Sequence, residues 1–397
     1  MNSPAIPSPA KRCCQLPRPA FFPLHRSALV LALAVLALTA ASSRAANRFW
    51  SGAGTWNTST ANWGTVTGGP YNTFTWVNAN NDTGVFEGAA GTASLGAGIT
   101  VGGLQFDTAS YIVTANTLTF GVSGNIVANQ NATINSAIAA TSGLTITKTG
   151  SGTLTLGGNN TYAAGTTVSI GTLKAGSLTG LSSNSVFSIA AGAILDLGGF
   201  NNTIKSLAAD TATSTITNST GAATLKFSGT SPAAHLFTGS LGVQMSGSQN
   251  VGLNNAANTF SGGFTLGIND GVNARILLSS RTLGVGGPGT LTSGSFGTGA
   301  ITLGVSAIDR PQIMFQAGVN TINNAIVVNS TNGNSDSIAT FRVDSTGNII
   351  AGTVNANLAN VAFKNSGGVG SVSLTNTISG VSGVMLTASA GTSLNVT

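Results

Sequence analysis

Acidic residues are the first candidates for catalysis, since general acid–base chemistry needs paired carboxylates or a carboxylate beside a basic residue. The 397-residue sequence has nine of them, widely spaced. Asp336 and Asp344 lie eight positions apart, and Asp309 adjoins Arg310. We expect each acid in a turn or a solvated loop, although folding can bring distant acids together. The nine are Asp82, Glu87, Asp107, Asp196, Asp210, Asp270, Asp309, Asp336 and Asp344.

Cysteine and histidine add no catalytic or metal-binding pattern. Cys13, Cys14 and His25 all lie near the N-terminus, and the remaining histidine, His235, has no visible partner. We expect a surface or loop-packing role for His235. Cysteine nucleophiles and Cys/His zinc sites are therefore excluded from the rest of the chain. The sequence predicts no catalytic residue, no metal and no cofactor, and hence a protein that is not an enzyme.

Aromatic residues form the one dense cluster of potential ligand-binding side chains. Trp50, Trp56, Trp63 and Trp76 are the four tryptophans of the chain, and Tyr71 lies among them. Exposed rings of this kind can stack on sugar rings. Alternatively, large apolar groups can cover the open first coil of a repeat protein. The sequence leaves both interpretations open and favours the N-terminal cap.

The first 45 residues have the organisation of a secretory signal peptide. A basic, acid-free segment precedes an apolar run over residues 28–41, and Ser43 and Ala45 occupy the −3 and −1 positions. The alternative is a membrane anchor, but the run is shorter than the roughly 20 residues of a spanning helix. We therefore predict a signal peptide at 1–45, a mature chain starting at Ala46, and an extracellular or cell-surface location.

Removal of this leader changes the charge of the protein. The net charge of +6 includes five basic residues of the leader, so ten Lys and Arg face nine Asp and Glu in the remainder. A nearly neutral chain lacks the basic surface that binds nucleic acid. Only 6% of the residues are charged, whereas Gly, Ser, Thr and Asn make up nearly half of the sequence.

Short segments in which apolar and polar residues alternate indicate that β-strands position the acidic and aromatic residues described above. In runs such as 144–147, 153–156 and 167–170, aliphatic residues alternate with Thr or Ser between Gly- or Asn-rich turns. Such alternation places the aliphatic side chains on one face of a strand. No segment after residue 46 has a sustained helical period, so the pattern predicts an all-β fold.

Part of this pattern repeats. The clearest unit spans 144–176, and its Asn160–Val168 segment returns as Asn258–Leu266, which defines a partial copy near 254–268. The unit resembles the autotransporter-associated β-strand repeat. The residues that fit its pattern include Lys148, Gly150, Gly152, Leu154, Leu156, Asn160, Tyr162, Gly165, Val168, Gly171 and Leu173.

The resemblance implies a right-handed parallel β-helix, or β-solenoid, exported to the bacterial cell surface. We expect an aromatic-rich cap at 46–97 and the solenoid at 98–397, with no membrane-spanning segment in the mature chain. The expected function is that of a structural or adhesin-like passenger that contacts extracellular polysaccharide or other surface proteins. The alternative is a β-helical protein that binds or degrades polysaccharide. The C-terminal end is expected either to continue into further repeats or to self-associate.

Overall fold

The computed structural model describes most of residues 45–397. The described residues are 45–208, 213–228, 235–246, 250–251, 253, 255–267, 273–279, 287, 289–306, 309–330, 341–357, 361–365, 367–380, 384–389 and 393–397. The predicted signal peptide, except for Ala45, lies outside them, as do Asp210, Asp270 and Asp336. Residues 45–397 form one compact unit.

This unit is a parallel β-solenoid, which confirms the predicted all-β class. Its helical content over the described residues is one 3₁₀ turn, Asn78–Asn80. Apart from the β3–β4 hairpin, Ala61–Trp63 with Phe74–Thr75, and one isolated bridge near it, the strand pairs are parallel. Within the described part of the chain, no helix is long and apolar enough to cross a membrane. The hand of the coil stays a prediction.

Two long sheets form the N-terminal half. The first contains β1 Asn47–Trp50, β5 Thr83–Phe86, β7 Ile99–Phe106, β9 Leu118–Ala128, β11 Ile138–Ala140, β12 Ile146–Thr149, β14 Thr166–Val168, β16 Val186–Ile189 and β19 Ser206–Leu207. The second begins with β2 Gly54–Trp56, β6 Thr92–Leu95, β8 Tyr111–Ala115, β10 Ala132–Ile134, β13 Thr153–Leu156, β15 Thr172–Ala175, β17 Ile194–Asp196 and β18 Asn202–Thr203.

The second sheet continues through the C-terminal half, where two more sheets join it. Its later strands are β20 Thr215–Ser228, β21 Leu236–Ser246, β23 Phe264–Leu266, β25 Ile301–Leu303, β28 Ile326–Val328, β31 Val354–Ala356 and β34 Ile378–Gly380. The third sheet holds β22 Asn250–Val251, β24 Asn273–Ser279, β26 Arg310–Ala317, β29 Phe341–Val343, β32 Val361–Asn365 and β35 Val384–Ala388. The fourth holds β27 Thr321–Ile322, β30 Asn348–Ile350, β33 Val369–Leu374 and β36 Ser393–Val396.

The core follows from the alternation in the sequence. In β13, Leu154 and Leu156 are buried while Thr153 and Thr155 are partly exposed, and β15 repeats the pattern. Leu154 pairs with Ala132 on one neighbouring strand and with Leu173 on the other. Aliphatic side chains of successive coils therefore stack into one continuous core, as expected when a single coil cannot bury its apolar face alone.

Parallel stacking already begins in the predicted cap region. Strand β1 pairs with β5, and β2 pairs with β6. The hairpin and the 3₁₀ turn interrupt the chain between the first two coils. The boundary between cap and solenoid at residues 97 and 98 stays a prediction.

Candidate contact surfaces and buried polar sites

Asp82 is an ion-paired carboxylate inside the N-terminal end of the solenoid. It is 1% exposed, and its Oδ2 lies 2.7 Å from Nε of Arg48. Its Oδ1 accepts a hydrogen bond of 2.8 Å from the backbone nitrogen of Ala46. Of the two expected positions, the solvated loop is wrong for this residue, because contacts between coils exclude water from it. Asp82 does follow closely on the 3₁₀ turn Asn78–Asn80, which agrees with the expected turn.

Asp196 on β17 occupies a second polar cluster between coils. Its carboxylate accepts hydrogen bonds from the hydroxyl and backbone nitrogen of Ser219 and from Gly198 N, and it lies 3.5 Å from Lys174 Nζ. Burial alone would raise its pKa, but these hydrogen bonds and the Lys174 charge outweigh that effect and lower the pKa. The carboxylate is thus held ionised as an acceptor. Only 6% of Asp196 is exposed, so a solvated loop is wrong here too, whereas the bond from Gly198 N agrees with the expected turn.

The remaining described acids also bind neighbouring protein groups. Glu87 accepts from Thr67, Gly68 and Tyr71 and so holds the loop of the first coil. The other partners are Gln105 and Asn129 for Asp107, Val305 N and Ser306 N for Asp309, and Arg342 for Asp344. Asp309 is fully buried, which contradicts a solvated position, but its bonds to Val305 N and Ser306 N agree with the expected turn.

His235 lies inside the coil stack, not on the surface. It is fully buried, and its Nδ1 is 2.5 Å from Oγ of Ser214, one coil earlier. Its Nε2 lies 3.3 Å from the carbonyl oxygen of Ala208. The alternative of a packing histidine therefore describes it better than a surface one.

Over the described residues, no group of three or more His, Cys, Asp or Glu side chains could hold a metal ion.

The four tryptophans pack on one another in the first coils. Trp50, Trp56, Trp63 and Trp76 are each at most 2% exposed. The Trp56 ring centroid lies 4.8 Å from those of Trp63 and Trp76 in edge-to-face arrangements. Nε1 of Trp56 and of Trp63 has no conventional acceptor. Edge-to-face packing is the geometry that allows an indole N–H to point at a neighbouring ring. Buried faces cannot stack on a sugar.

A groove of about 410 Å³ lies beside this cluster. Its polar wall includes Asn57, Asn62, Tyr71 and Asn72, and the edge of Trp50 contributes to its lining. Tyr71 is partly exposed, unlike the tryptophans. Burial and the Glu87 carboxylate raise the pKa of the Tyr71 hydroxyl, so it remains a neutral hydrogen-bonding group. Among the predicted ring-stacking residues, Tyr71 is the one with an accessible side chain.

Lys148 of the repeat unit is fully buried in spite of its charge. Its Nζ donates hydrogen bonds of 2.6 Å to the carbonyls of Gly150 and Gly152 and one of 2.7 Å to Ile170 on the next coil. Burial lowers the Lys148 pKa to about 8. Gly150 and Gly171 adopt positive φ angles of 78° and 72° at these corners. Sequence alternation does place Lys148 on the inward face, two positions after Ile146.

Asn160 links three successive coils. Its Oδ1 accepts from Ile138 N at 2.8 Å, and its Nδ2 donates to Gly180 O at 2.6 Å. Asn258, its counterpart in the partial copy, accepts from Phe237 N and donates to Ser295 O. The two copies thus share a structural role. This buried ladder satisfies corner backbone groups that strand pairing leaves free.

The other repeat-motif residues lie in the core or at the corners. Leu154, Leu156, Tyr162, Val168 and Leu173 are buried. Tyr162 bonds the Thr166 hydroxyl, which in turn bonds Ser185, and burial raises the Tyr162 pKa to about 12. The corner residues are Gly150, Gly152, Gly165 and Gly171.

The outer face of the second sheet forms a polar surface that sequence reasoning did not single out. Thr133 pairs with Ile112 and Thr155, and Thr155 pairs with Lys174, so these side chains form a row across four strands. The row lines a groove of about 500 Å³. The groove lining consists of Ser110, Ile112, Asn131, Ala132, Thr133, Thr153, Thr155 and Lys174.

Comparison with known proteins confirms the repeat. Residues 146–175 match the model of the passenger-associated transport repeat. A relative described as "Adhesin BmaC autotransporter", from Brucella suis biovar 1 (strain 1330), is 40% identical over 186 residues. The alignment covers 43% of this chain and 5% of that much longer protein. No solved structure matches significantly. Residues 146–175 thus carry a passenger-associated transport repeat, and they lie within the β-solenoid fold.

Proposed function

We propose that this chain is exported and acts as an adhesin-like passenger that binds extracellular polysaccharide through the outer face of its second sheet. The passenger repeat at 146–175 supports export to the cell surface. The name of the relative supports adhesion as the general activity. The binding mode and the ligand class are inferred from the groove described above.

The chemistry of the groove favours a neutral, hydroxyl-rich ligand. Thr133, Thr153 and Thr155 present hydroxyls, and Asn131 adds an amide with both donor and acceptor atoms. Strand spacing places successive side chains of the row about 4.8 Å apart, so an extended polymer lying across the strands would meet the hydroxyls of Thr133 and Thr155 in succession. Individually weak contacts repeated along one chain add up through multivalency. Lys174, held near Asp196, adds little net charge.

Binding measurements with threonine variants test the proposal. Thr133→Val and Thr155→Val together remove two hydroxyls from the groove while preserving shape and β-propensity. We expect the double variant to lose most of its binding to a polysaccharide array, with unchanged thermal unfolding. Because the ligand is neutral, binding of the parent chain should change little between low and high salt.

A matched variant on another face serves as the control. Thr147 and Thr167 pair on the first sheet and are partly exposed. Thr147→Val with Thr167→Val should leave binding intact. Equal loss in both double variants, or binding to surface proteins alone, would contradict the proposed groove. Shortened polysaccharide products would instead support the degrading alternative.

The same proposal assigns the buried aromatic cluster to an N-terminal cap. Its indoles are inaccessible to a ligand, and they fill the interior of the first coils where the stack begins. A capping repeat of a solenoid has this task of covering an apolar end. Tyr71, whose side chain is partly exposed, is therefore the aromatic residue to test for stacking on a sugar ring.

A further inference from the structure

The backbone nitrogen of Ala46 lies in an anionic environment. It donates a 2.8 Å hydrogen bond to Oδ1 of Asp82, while the Ala46 carbonyl accepts from Thr83 N at 2.9 Å. Asn47, the next residue, starts the first parallel pair of the stack. Both backbone polar groups of Ala46 are therefore bonded to the next coil, and the group that holds its nitrogen is a carboxylate.

Asp82 is held in place independently of Ala46. Arg48 Nε lies 2.7 Å from its other oxygen, and the Arg48 guanidinium lies 3.7 Å above the Phe74 ring. The carboxylate is 1% exposed, so a cation near it gains more than it would in water. An amide N–H carries only a partial positive charge. An ammonium group would bring a full positive charge and further N–H donors to the Asp82 carboxylate.

We propose that the chain is processed at the Ala45–Ala46 peptide bond and that the α-ammonium group of Ala46 then forms an ion pair with buried Asp82. The position agrees with the small residues Ser43 and Ala45 of the predicted signal peptide. This proposal rests on export of the chain, as the proposed function does. It does not require that the chain is an adhesin.

The chemistry is a hydrolysis by an endopeptidase that cleaves exported precursors. Water adds to the Ala45 carbonyl carbon, the C–N bond to Ala46 breaks, and Ala45 becomes a carboxylate. The Ala46 nitrogen takes up protons and becomes an ammonium group, which an ordinary α-amino pKa of roughly 8 keeps charged at neutral pH. Ala45 is exposed at the edge of a groove of about 290 Å³, and Ala46 is partly exposed.

Export of the full chain with its own leader tests the proposal. N-terminal sequencing of the exported protein should give Ala46 as the first residue. A second chain carries Asn-Gly-Ser inserted between Ala45 and Ala46, which preserves the cleavage site but leaves Ala46 N as an amide. We expect the inserted chain to unfold at a temperature lower by about 2–4 °C.

Substitution of Asp82 separates the ion pair from a general effect of the insertion. Asp82→Asn should lower the unfolding temperature more in the parent than in the inserted chain. Asp107→Asn, whose carboxylate binds Gln105 and Asn129, should have the same effect in both. A different first residue, or an equal effect of Asp82→Asn in the two chains, overturns the proposal.

A measurement on folded parent protein covers the case in which Asp82→Asn does not fold. The ion pair should slow labelling of the α-amine by an amine-reactive reagent at pH 7.5 about tenfold relative to the inserted chain, a shift of one pKa unit. Equal labelling rates overturn the proposal. Failure to bind polysaccharide by a chain that begins at Ala46 would count against the proposed function alone.

Discussion

At the scale of single residues, Lys148 joins two coils through one ammonium group. Lys148→Met keeps the apolar stem but leaves the carbonyls of Gly150, Gly152 and Ile170 without this donor. Because an unsatisfied buried acceptor costs about 1–3 kcal/mol, we expect the free energy of unfolding to fall by about 3 kcal/mol. Urea denaturation measures the change. Exposed Lys205→Met is the control and should shift it by less than about 0.5 kcal/mol.

Burial of Lys148 makes the free energy of unfolding depend on pH in a known direction. Its pKa is about 8 in the folded protein, against 10.5 for a lysine side chain in water. Between these values the unfolded chain binds more protons than the folded one, so stability rises with pH across this window. The stability difference between parent and Lys148→Met should therefore increase from pH 8 to about 10.5. A constant difference would mean that the ammonium stays charged throughout.

Asn160 allows a comparison of adjacent residues. Asn160→Ala leaves Ile138 N and Gly180 O without their side-chain partner, whereas the side chain of Asn159 is exposed. We expect Asn160→Ala to cost about 2 kcal/mol of unfolding free energy and Asn159→Ala nearly nothing. Thermal or urea unfolding of the pair measures this. Equal effects would rule out the ladder as a source of stability.

At the scale of elements, the corners between strands impose their own constraints. Gly171 and Gly192 have nearly the same φ, 72° and 74°. A Cβ on Gly171 would lie 2.5 Å from Lys148 Nζ, while one on Gly192 meets nothing within 4 Å. Both alanine variants incur left-handed strain of roughly 1–2 kcal/mol. Gly171→Ala should lose clearly more stability than Gly192→Ala, and equal losses would show that the lysine site adapts.

The tryptophan cluster of the first coils is expected to contribute to stability. Trp56→Leu removes a ring that contacts Trp63 and Trp76 and leaves a cavity. A loss of about 3 kcal/mol is expected for such a truncation, seen as a lower melting temperature. Partly exposed Tyr71→Ala should affect melting less. Lost glycan binding with unchanged melting of Trp56→Leu would favour the stacking platform instead.

At the scale of the whole molecule, the sequence predicts strands better than contacts between coils. Alternation correctly places Leu154 inside and Thr155 outside, since side chains alternate along any strand. The partners across coils depend on coil length, which varies: Asn160 reaches Gly180, 20 residues on, but Asn258 reaches Ser295, 37 residues on. The pairing of Asp82 with Arg48 and the burial of His235 depend on that spacing, so no local pattern reveals them.

The stacked architecture also predicts how far along the solenoid a single core substitution lowers stability. Each coil contacts mainly its two neighbours, so stability is close to a sum of local coil terms and nearest-neighbour terms. Leu154→Ala opens a cavity between Ala132 and Leu173, at a cost of about 2–5 kcal/mol. Amide hydrogen exchange should therefore accelerate in β10, β13 and β15 while β31 and β34 keep the parent rates. Thr155→Ala, on the outer face of the same strand, should leave both regions unchanged. Uniform acceleration along the chain would instead mean that residues 45–397 unfold as one cooperative block, because only global opening exposes distant coils together.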